Sequence, residues 1–403
     1  MTNALNVKYL LAIALLSGFS AFSIVVAEEI GDVAPEARAT EIEMSFRDVP
    51  LLEAAFIDTS PEDRNDGIVV GELHAGGDGK GPLIQLAEEI ADGQHDNFDS
   101  LLVAHKGKLL FESYYLKGRV DLPHPQASAT KTYTAMALGR AIQLGYLTMA
   151  DLDKPLISFF DELDPARFTE GVELITLQKA LTMTTGIQIP EEQWEEFRQN
   201  AEQIQGRKQV QAILEHSAPI TTESQSFQYG TGPDLIMHVI DAVVPGSAEE
   251  FIQDELLNKT GITNYGWSIS PSGLPEAGWR TSMTSRDMIK WGMLVAGKGR
   301  WNGEQLISEA YINKAVSRVI NVGDEDVFGG GPDIFNQGYG YFMWNAVMRV
   351  GDQIYYSTSA QGGGGQFIIL IDELDLIVVA TSHERNPSTL QLTAERILPA
   401  FIQ

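Results

Sequence analysis

Strand-forming segments lie near both ends of the chain, and a long helical block separates them. Residues 100–105 and 109–115 flank a glycine turn and read as a β-hairpin. Four further strand-like segments follow late in the chain, at 339–348, 353–359, 366–371 and 376–381. Residues 146–275 carry little strand signal and are predicted to be an all-α insertion. The chain ends must therefore meet in one antiparallel sheet, flanked by first and last helices at 83–90 and 388–402, which is an α+β fold.

Composition excludes several classes of function. The 403 residues give ample length for one large or two modest domains. A net charge of −27 argues against nucleic acid or an anionic membrane as a partner. The chain has no cysteine, so disulfides, thiolate zinc sites and a cysteine nucleophile are excluded. None of the seven histidines forms a metal pair at helical spacing, and we expect neither a metal nor a cofactor.

The N-terminal sequence predicts an export signal. Residues 9–27 are uncharged and mostly apolar, they follow Lys8, and they end in the small residues Val25-Val26-Ala27. Small residues at this place suit a signal peptidase, whereas the length of the apolar run also suits a retained anchor. We expect residues 1–27 to be a signal peptide or an N-terminal anchor. Both alternatives predict an exported protein, periplasmic or secreted, with membrane contact only through this segment.

Ser128 and Lys131 stand three residues apart at the start of a helix predicted to run to about Gly145. Positions i and i+3 share a helix face, so the lysine amine can lie beside the serine hydroxyl. Lysine can take the serine proton if burial and nearby positive groups lower its pKa. Alone, this spacing occurs about once by chance in a chain of this length, and it also fits a serine at a helix start with a solvated lysine.

Further motifs follow in a fixed order and carry a resemblance. They are Ser128-Ala129-Thr130-Lys131-Thr132, the stretch 175–186, Phe227-Gln228-Tyr229-Gly230-Thr231-Gly232, the stretches 283–288 and 301–303, Gly338-Tyr339-Gly340-Tyr341 and Gly362-Gly363-Gly364-Gly365-Gln366. In this order the chain resembles the β-lactamase-related serine hydrolases, which include class C β-lactamases, family VIII carboxylesterases and 6-aminohexanoate-dimer hydrolases. The resemblance implies a β-lactamase/transpeptidase-like fold in a catalytic domain at 98–403, after an N-terminal acidic extension at 28–97.

Tyr229 stands where these families carry the tyrosine of a Tyr-x-Asn element. The resemblance implies that Tyr229 and Lys131 together act as the general base. A phenol beside the lysine cation is expected to have a lowered pKa, so that a phenolate takes the Ser128 proton. A tyrosine that only packs below helix 234–244 is the alternative. Thr231 replaces the family asparagine as a substrate-binding residue, and it keeps a hydroxyl but loses the amide.

The third family element reads Ala360-Gln361-Gly362-Gly363. In β-lactamases this strand edge begins Lys-Thr-Gly, and the lysine helps to bind the drug carboxylate, which Ala360 cannot do. The resemblance places the oxyanion hole at the backbone N–H groups of Ser128 and Gly363, and substrate contacts at Gly362 and Gly364. The alternative is a tight turn or bulge before the next strand.

The expected function is hydrolysis of a small-molecule ester or amide through an acyl-enzyme on Ser128. A β-lactamase or D-amino peptidase of the same fold remains an alternative. So does a catalytically silent penicillin-recognising or cell-wall-binding protein. The sequence predicts no oligomeric state.

Overall fold

The structure is a computed structural model that describes residues 30–31, 33–73, 80–323 and 327–402. The predicted signal peptide or anchor at 1–27 lies outside these residues. Within the described residues, no helix combines the length and the apolar character needed to cross a membrane.

Ten strands of the described chain form one sheet, and five short strands form two smaller ones. The strands are β1 Ile30–Gly31, β2 Ala55–Asp58, β3 Phe98–His105, β4 Lys108–Tyr114, β5 His124–Pro125, β6 Tyr265–Trp267, β7 Thr281–Met283, β8 Arg300–Trp301, β9 Glu304–Gln305, β10 Ile320–Gly323, β11 Ile334–Tyr339, β12 Trp344–Val350, β13 Gln353–Gly362, β14 Gln366–Ile371 and β15 Leu376–Ser382. The large sheet has the order β1-β2-β4-β3-β15-β14-β13-β12-β11-β10. It is antiparallel except between β1 and β2. The predicted joining of the two chain ends is confirmed where β3 pairs with β15.

Eleven α-helices accompany these strands in the described residues. They are α1 Ala39–Ile42, α2 Lys80–Ala91, α3 Thr130–Gln143, α4 Leu177–Leu181, α5 Glu191–Gln199, α6 Lys208–His216, α7 Gly232–Val243, α8 Ala248–Ile252, α9 Ser285–Ala296, α10 Glu309–Ala315 and α11 Thr389–Leu392. Helix α11 continues through irregular helical turns to Ala400.

The sheet is covered on both faces because its central strands are apolar on both sides. On β15, Val378 packs with α2 and the C-terminal helix, whereas its neighbours Ile377 and Val379 pack with the core on the other face. This alternation follows the two-residue period of a strand. Helix α9 lies close to the second face, where a Cβ on Gly292 would come within 2.6 Å of Ile377. The predicted α+β fold with first and last helices against the sheet is confirmed.

Three local predictions are wrong. The single strand predicted at 339–348 is two strands, β11 and β12, because the chain turns between them and Phe342 adopts a positive φ of 56°. The helix predicted across 191–214 is split into α5 and α6, with Gly206 between them at a φ of 58°. The block predicted as all-α contains β6, which forms through pairing with β7, a contact distant in sequence.

The predicted boundary between an extension and a catalytic domain at residue 98 stays a prediction. On its N-terminal side, β2 pairs with β4 in the main sheet. Leu83 and Leu86 of α2 are buried in the same core as the C-terminal helix.

Candidate active site

The turn that carries Ser128 is fixed by several contacts. A 3₁₀ turn at Ala127–Ala129 leads directly into α3. Ala127 has a φ of 45°, which is uncommon for a residue other than glycine. The Thr130 hydroxyl donates to the Ala127 carbonyl at 2.7 Å. Beneath the turn, the buried Tyr133 hydroxyl donates to Gln126 Oε1 at 2.8 Å. Ser128 is therefore held half-buried at the N-terminal end of α3.

Lys131 reaches Ser128 as the spacing predicts. Its Nζ lies 3.0 Å from Ser128 Oγ and donates to the Gly278 carbonyl at 2.7 Å. The side chain is buried, and burial lowers the pKa of Lys131 from 10.5 to about 8. Burial alone therefore supplies the lowering that a lysine base requires, without nearby positive groups. The charged neighbours are the acids Asp234 and Glu276, and they oppose the lowering.

Asp234 and Glu276 were not among the predicted site residues. Burial, followed by the charge of Glu276, raises the pKa of Asp234 to about 7, while Lys131 acts in the opposite direction. Burial also raises the pKa of Glu276, against the lowering effects of Arg280 and Lys131. Asp234 lies in the first turn of α7, five residues after Tyr229, which is the only local signal of its position. Glu276 lies in an irregular segment with no such signal.

Tyr229 lies over Lys131. The Lys131 amine is 4.6 Å from the centroid of the Tyr229 ring, a cation–π contact. The ring also belongs to an aromatic group, in which Tyr229 stacks with Trp344 at 6.1 Å between ring centroids. The Tyr229 hydroxyl interacts with the hydroxyls of Ser128 and Tyr339.

The expected lowering of the Tyr229 pKa is wrong. Tyr229 is 43% exposed as a residue, yet its remaining desolvation raises its pKa, and the interactions with Ser128 and Tyr339 offset only part of that rise. The lysine cation faces the ring rather than the phenol oxygen, so it does not supply the expected stabilisation of a phenolate. Tyr229 is therefore a neutral phenol in this site.

The glycine-rich edge lies against the Ser128 turn at the end of β13. A Cβ on Gly362 would come within 2.1 Å of the Gln126 carbonyl oxygen, so only glycine permits this approach. Gly363 is exposed and has no such steric demand. Gly364 has a φ of 103° in the tight turn into β14, which the alternative interpretation also predicts. Ala360 is buried at the position of the β-lactamase lysine.

Thr231 lines a cavity beside Tyr229. The cavity has a volume of about 340 Å³, and it carries no charged side chain: its walls are Thr185, Ile187, Gln188, Ile189, Trp194, Gln228, Tyr229, Gly230 and Thr231. Thr231 stands at the N-cap position of α7, where its side chain makes no capping hydrogen bond. Helix α5, which contributes Trp194, carries the exposed carboxylates Glu191, Glu192 and Glu195 on its outer surface.

No group of three or more histidine, aspartate and glutamate side chains is arranged to hold a metal ion in the part of the chain that the structure describes.

The geometry can be compared with known proteins. The model of the family described as Beta-lactamase matches residues 85–400. The chain belongs to the Beta-lactamase family. Membership of this family places the protein with the serine hydrolases at the family level. No curated protein matches the sequence.

Solved structures show the same fold at low sequence identity. A class C β-lactamase is 15% identical, with 82% of this chain and 99% of that chain covered and a TM-score of 0.57. A D-stereospecific amidohydrolase from Streptomyces sp. is 16% identical, with coverages of 79% and 98% and a TM-score of 0.54. A penicillin-binding protein homologue from Caulobacter crescentus is 14% identical, with coverages of 82% and 98% and a TM-score of 0.56. The predicted β-lactamase/transpeptidase-like fold is confirmed for this family member.

Proposed function

We propose that this protein hydrolyses an ester or amide bond of a small molecule through an acyl-enzyme on Ser128. One observation carries the proposal: the Ser128 hydroxyl lies 3.0 Å from a lysine amine whose burial brings its pKa to about 8. A lysine with this pKa is partly neutral near physiological pH, and a neutral amine can accept the proton of a serine hydroxyl.

In the acylation step, Ser128 Oγ forms a bond to the substrate carbonyl carbon as its proton passes to the neutral Lys131 amine. The resulting ammonium donates to the Gly278 carbonyl and lies near the acids Asp234 and Glu276. The carbonyl oxygen gains the negative charge, and the N–H groups of Ser128 and Gly363 are the proposed donors to it.

In the second half of acylation, the bond to the leaving group breaks and that group needs a proton. Tyr229 is a neutral phenol whose hydroxyl interacts with Ser128, so it is placed to donate this proton. The phenolate then regains a proton from the Lys131 ammonium, and this step requires the Tyr229 ring to turn, because the amine lies over the ring and not beside the oxygen. Deacylation runs the same transfers in reverse: a water gives its proton to the Lys131–Tyr229 pair and attacks the ester carbon, and Ser128 Oγ leaves with a proton. Proton transfer is thereby shared, with Lys131 as the base and Tyr229 as the relay.

The substrate is proposed to be uncharged near its scissile bond. The cavity beside Tyr229 has no charged wall, and buried Ala360 offers no cation for a carboxylate. The glutamates of α5 stand outside the same cavity and repel anions. Neutral esters and amides are therefore favoured over carboxylate-bearing β-lactams.

Acylation by a fluorophosphonate probe tests the proposal, combined with turnover of short acyl esters, anilides and a chromogenic cephalosporin. We expect labelling at Ser128 in the wild type and in Ser226→Ala, which alters an exposed serine on the Tyr229 loop. We expect no labelling in Ser128→Ala. A labelled peptide without Ser128, or a wild type that is neither labelled nor active, would refute the assignment, and the second result would favour a silent binding protein.

A further inference from the structure

Tyr339, the last residue of β11, carries a buried hydroxyl that makes no full hydrogen bond among the described residues. Its side chain is 0% exposed. Buried polar groups in folded proteins are nearly always hydrogen-bonded, because burial removes the bonds that water would supply. A phenylalanine would fill the same space without this cost, so the hydroxyl calls for an explanation outside packing.

The position of the ring points to Tyr229. Tyr339 packs edge-on against Tyr229 at 6.4 Å, and it also contacts Phe227 at 5.1 Å and Trp344 at 4.7 Å. The Tyr339 hydroxyl interacts with that of Tyr229, but the pair does not meet the geometry of a full hydrogen bond in this structure. Tyr229 is partly exposed and its ring can rotate to complete that bond, whereas Tyr339 is enclosed on all sides.

Both tyrosines are neutral phenols in the resting site, and the direction of the hydrogen bond is decided when Tyr229 gives up its proton. Burial raises the pKa of Tyr339 well above its ordinary value, so Tyr339 keeps its proton. The groups that face Tyr229 are the Lys131 amine from α3 and the Ser128 hydroxyl from the preceding turn, with the acids Asp234 and Glu276 beside the lysine. Once Tyr229 has given up its proton, Tyr339 is therefore the hydrogen-bond donor of the two.

We infer that Tyr339 is a positioning residue that donates a hydrogen bond to Tyr229 Oη and fixes the phenol for proton transfer to the leaving group. The inference rests on the proposed function, because it assigns Tyr339 a task only if Tyr229 relays a proton. The hydrogen bond from Tyr339 should shift the pKa of Tyr229 in one direction. A donor to the phenol oxygen stabilises the phenolate, so loss of the donor raises the pKa of Tyr229.

Tyr339→Phe tests the inference because it keeps the ring contacts and deletes only the hydroxyl. We expect kcat to fall by about tenfold with KM changed less than twofold, since the substrate cavity is untouched. The alkaline limb of the kcat profile should move to higher pH. The melting temperature should change little, because deleting the hydroxyl loses one hydrogen bond but also removes a buried polar group.

Tyr341→Phe is the matched control from the same turn. The buried Tyr341 ring contacts Tyr311, and its hydroxyl donates to Gln178 Oε1 at 2.8 Å. This change should lower the melting temperature and leave kcat and the alkaline limb unchanged.

A Tyr339→Phe enzyme with wild-type kcat and an unmoved limb would overturn the inference, as would a fall in kcat matched by a fall in melting temperature. Failure of the proposed function looks different, because the wild type itself would then show no probe labelling at Ser128.

Discussion

Lys131→Met should stabilise the protein at neutral pH while it removes activity. The substitution keeps the bulk of the side chain and deletes the ammonium. The difference between 10.5 and about 8 in the pKa of Lys131 corresponds to about 3 kcal/mol, at about 1.4 kcal/mol per pH unit. That free energy opposes folding at neutral pH, because the folded state holds a buried cation that the unfolded state exposes to water.

Lost hydrogen bonds offset part of this gain. Lys131 bonds with Ser128 Oγ and the Gly278 carbonyl, and each bond contributes about 1 kcal/mol. The free energy of unfolding at pH 7 should therefore rise by about 1 kcal/mol in the mutant. Activity should fall by at least about 100-fold, because the proposed base is gone.

The pH dependence gives a sharper test. A lysine whose pKa is lowered by folding binds more protons in the unfolded state between pH 8 and 10.5, so the wild type gains stability as pH rises through that window. The mutant lacks this gain in stability with rising pH. Its advantage of about 1 kcal/mol at pH 7 should shrink above pH 8 and become a deficit of about 2 kcal/mol near pH 10.5, where only the lost hydrogen bonds remain.

Urea unfolding of both proteins at several pH values between 7 and 10.5 measures the difference. Lys290→Met is the control, since Lys290 is also buried but pairs with the buried Asp287 at 2.8 Å. Loss of that partner leaves an unpaired buried carboxylate and should destabilise the protein by about 3 kcal/mol. A Lys131→Met protein whose stability difference from wild type does not vary with pH would refute the reasoning about the buried amine.

Four further outcomes are expected. Ser128→Ala should lose turnover and probe labelling and change the free energy of unfolding by less than about 1 kcal/mol, and residual turnover above a trace would remove Ser128 as nucleophile. The acidic limb of the pH profile of kcat/KM should lie near pH 8. Asp234→Asn should move that limb to lower pH, because the Asp234 carboxylate raises the pKa of Lys131. The pH–rate profiles of both proteins measure the shift, and a limb at higher pH in the mutant would contradict the assignment. Tyr229→Phe should lower kcat by at least about 100-fold. In steady-state kinetics, the double mutant with Lys131→Met should be no less active than the poorer of the two single variants. A near-wild-type kcat in Tyr229→Phe would leave Lys131 as the sole base. The mature protein should begin near Glu28 by intact mass from the native envelope, whereas a retained Met1 with detergent dependence would indicate an anchor.

The sequence determined the parts of this protein that depend on short-range periodicity. Strand β14 occurs where an apolar run between glycine and aspartate predicts it, and the β3–β4 hairpin turns at Lys106-Gly107, both with positive φ. The contact between Ser128 and Lys131 follows from one helical turn, so three residues of spacing were enough to predict it.

Only the tertiary structure decided the electrostatics of the site. Gly278 and Glu276 approach Lys131 from a segment nearly 150 residues away, and no local pattern marks them. The motif order predicts the position of Tyr229 but not the direction of its pKa shift, because that direction depends on whether the lysine amine faces the ring or the oxygen. A pKa responds to burial and to charges in three dimensions, whereas sequence spacing fixes distances only within one helix or strand. The geometry around Ser128 was therefore predictable along α3, and the protonation states around it were decided by the packing of distant segments.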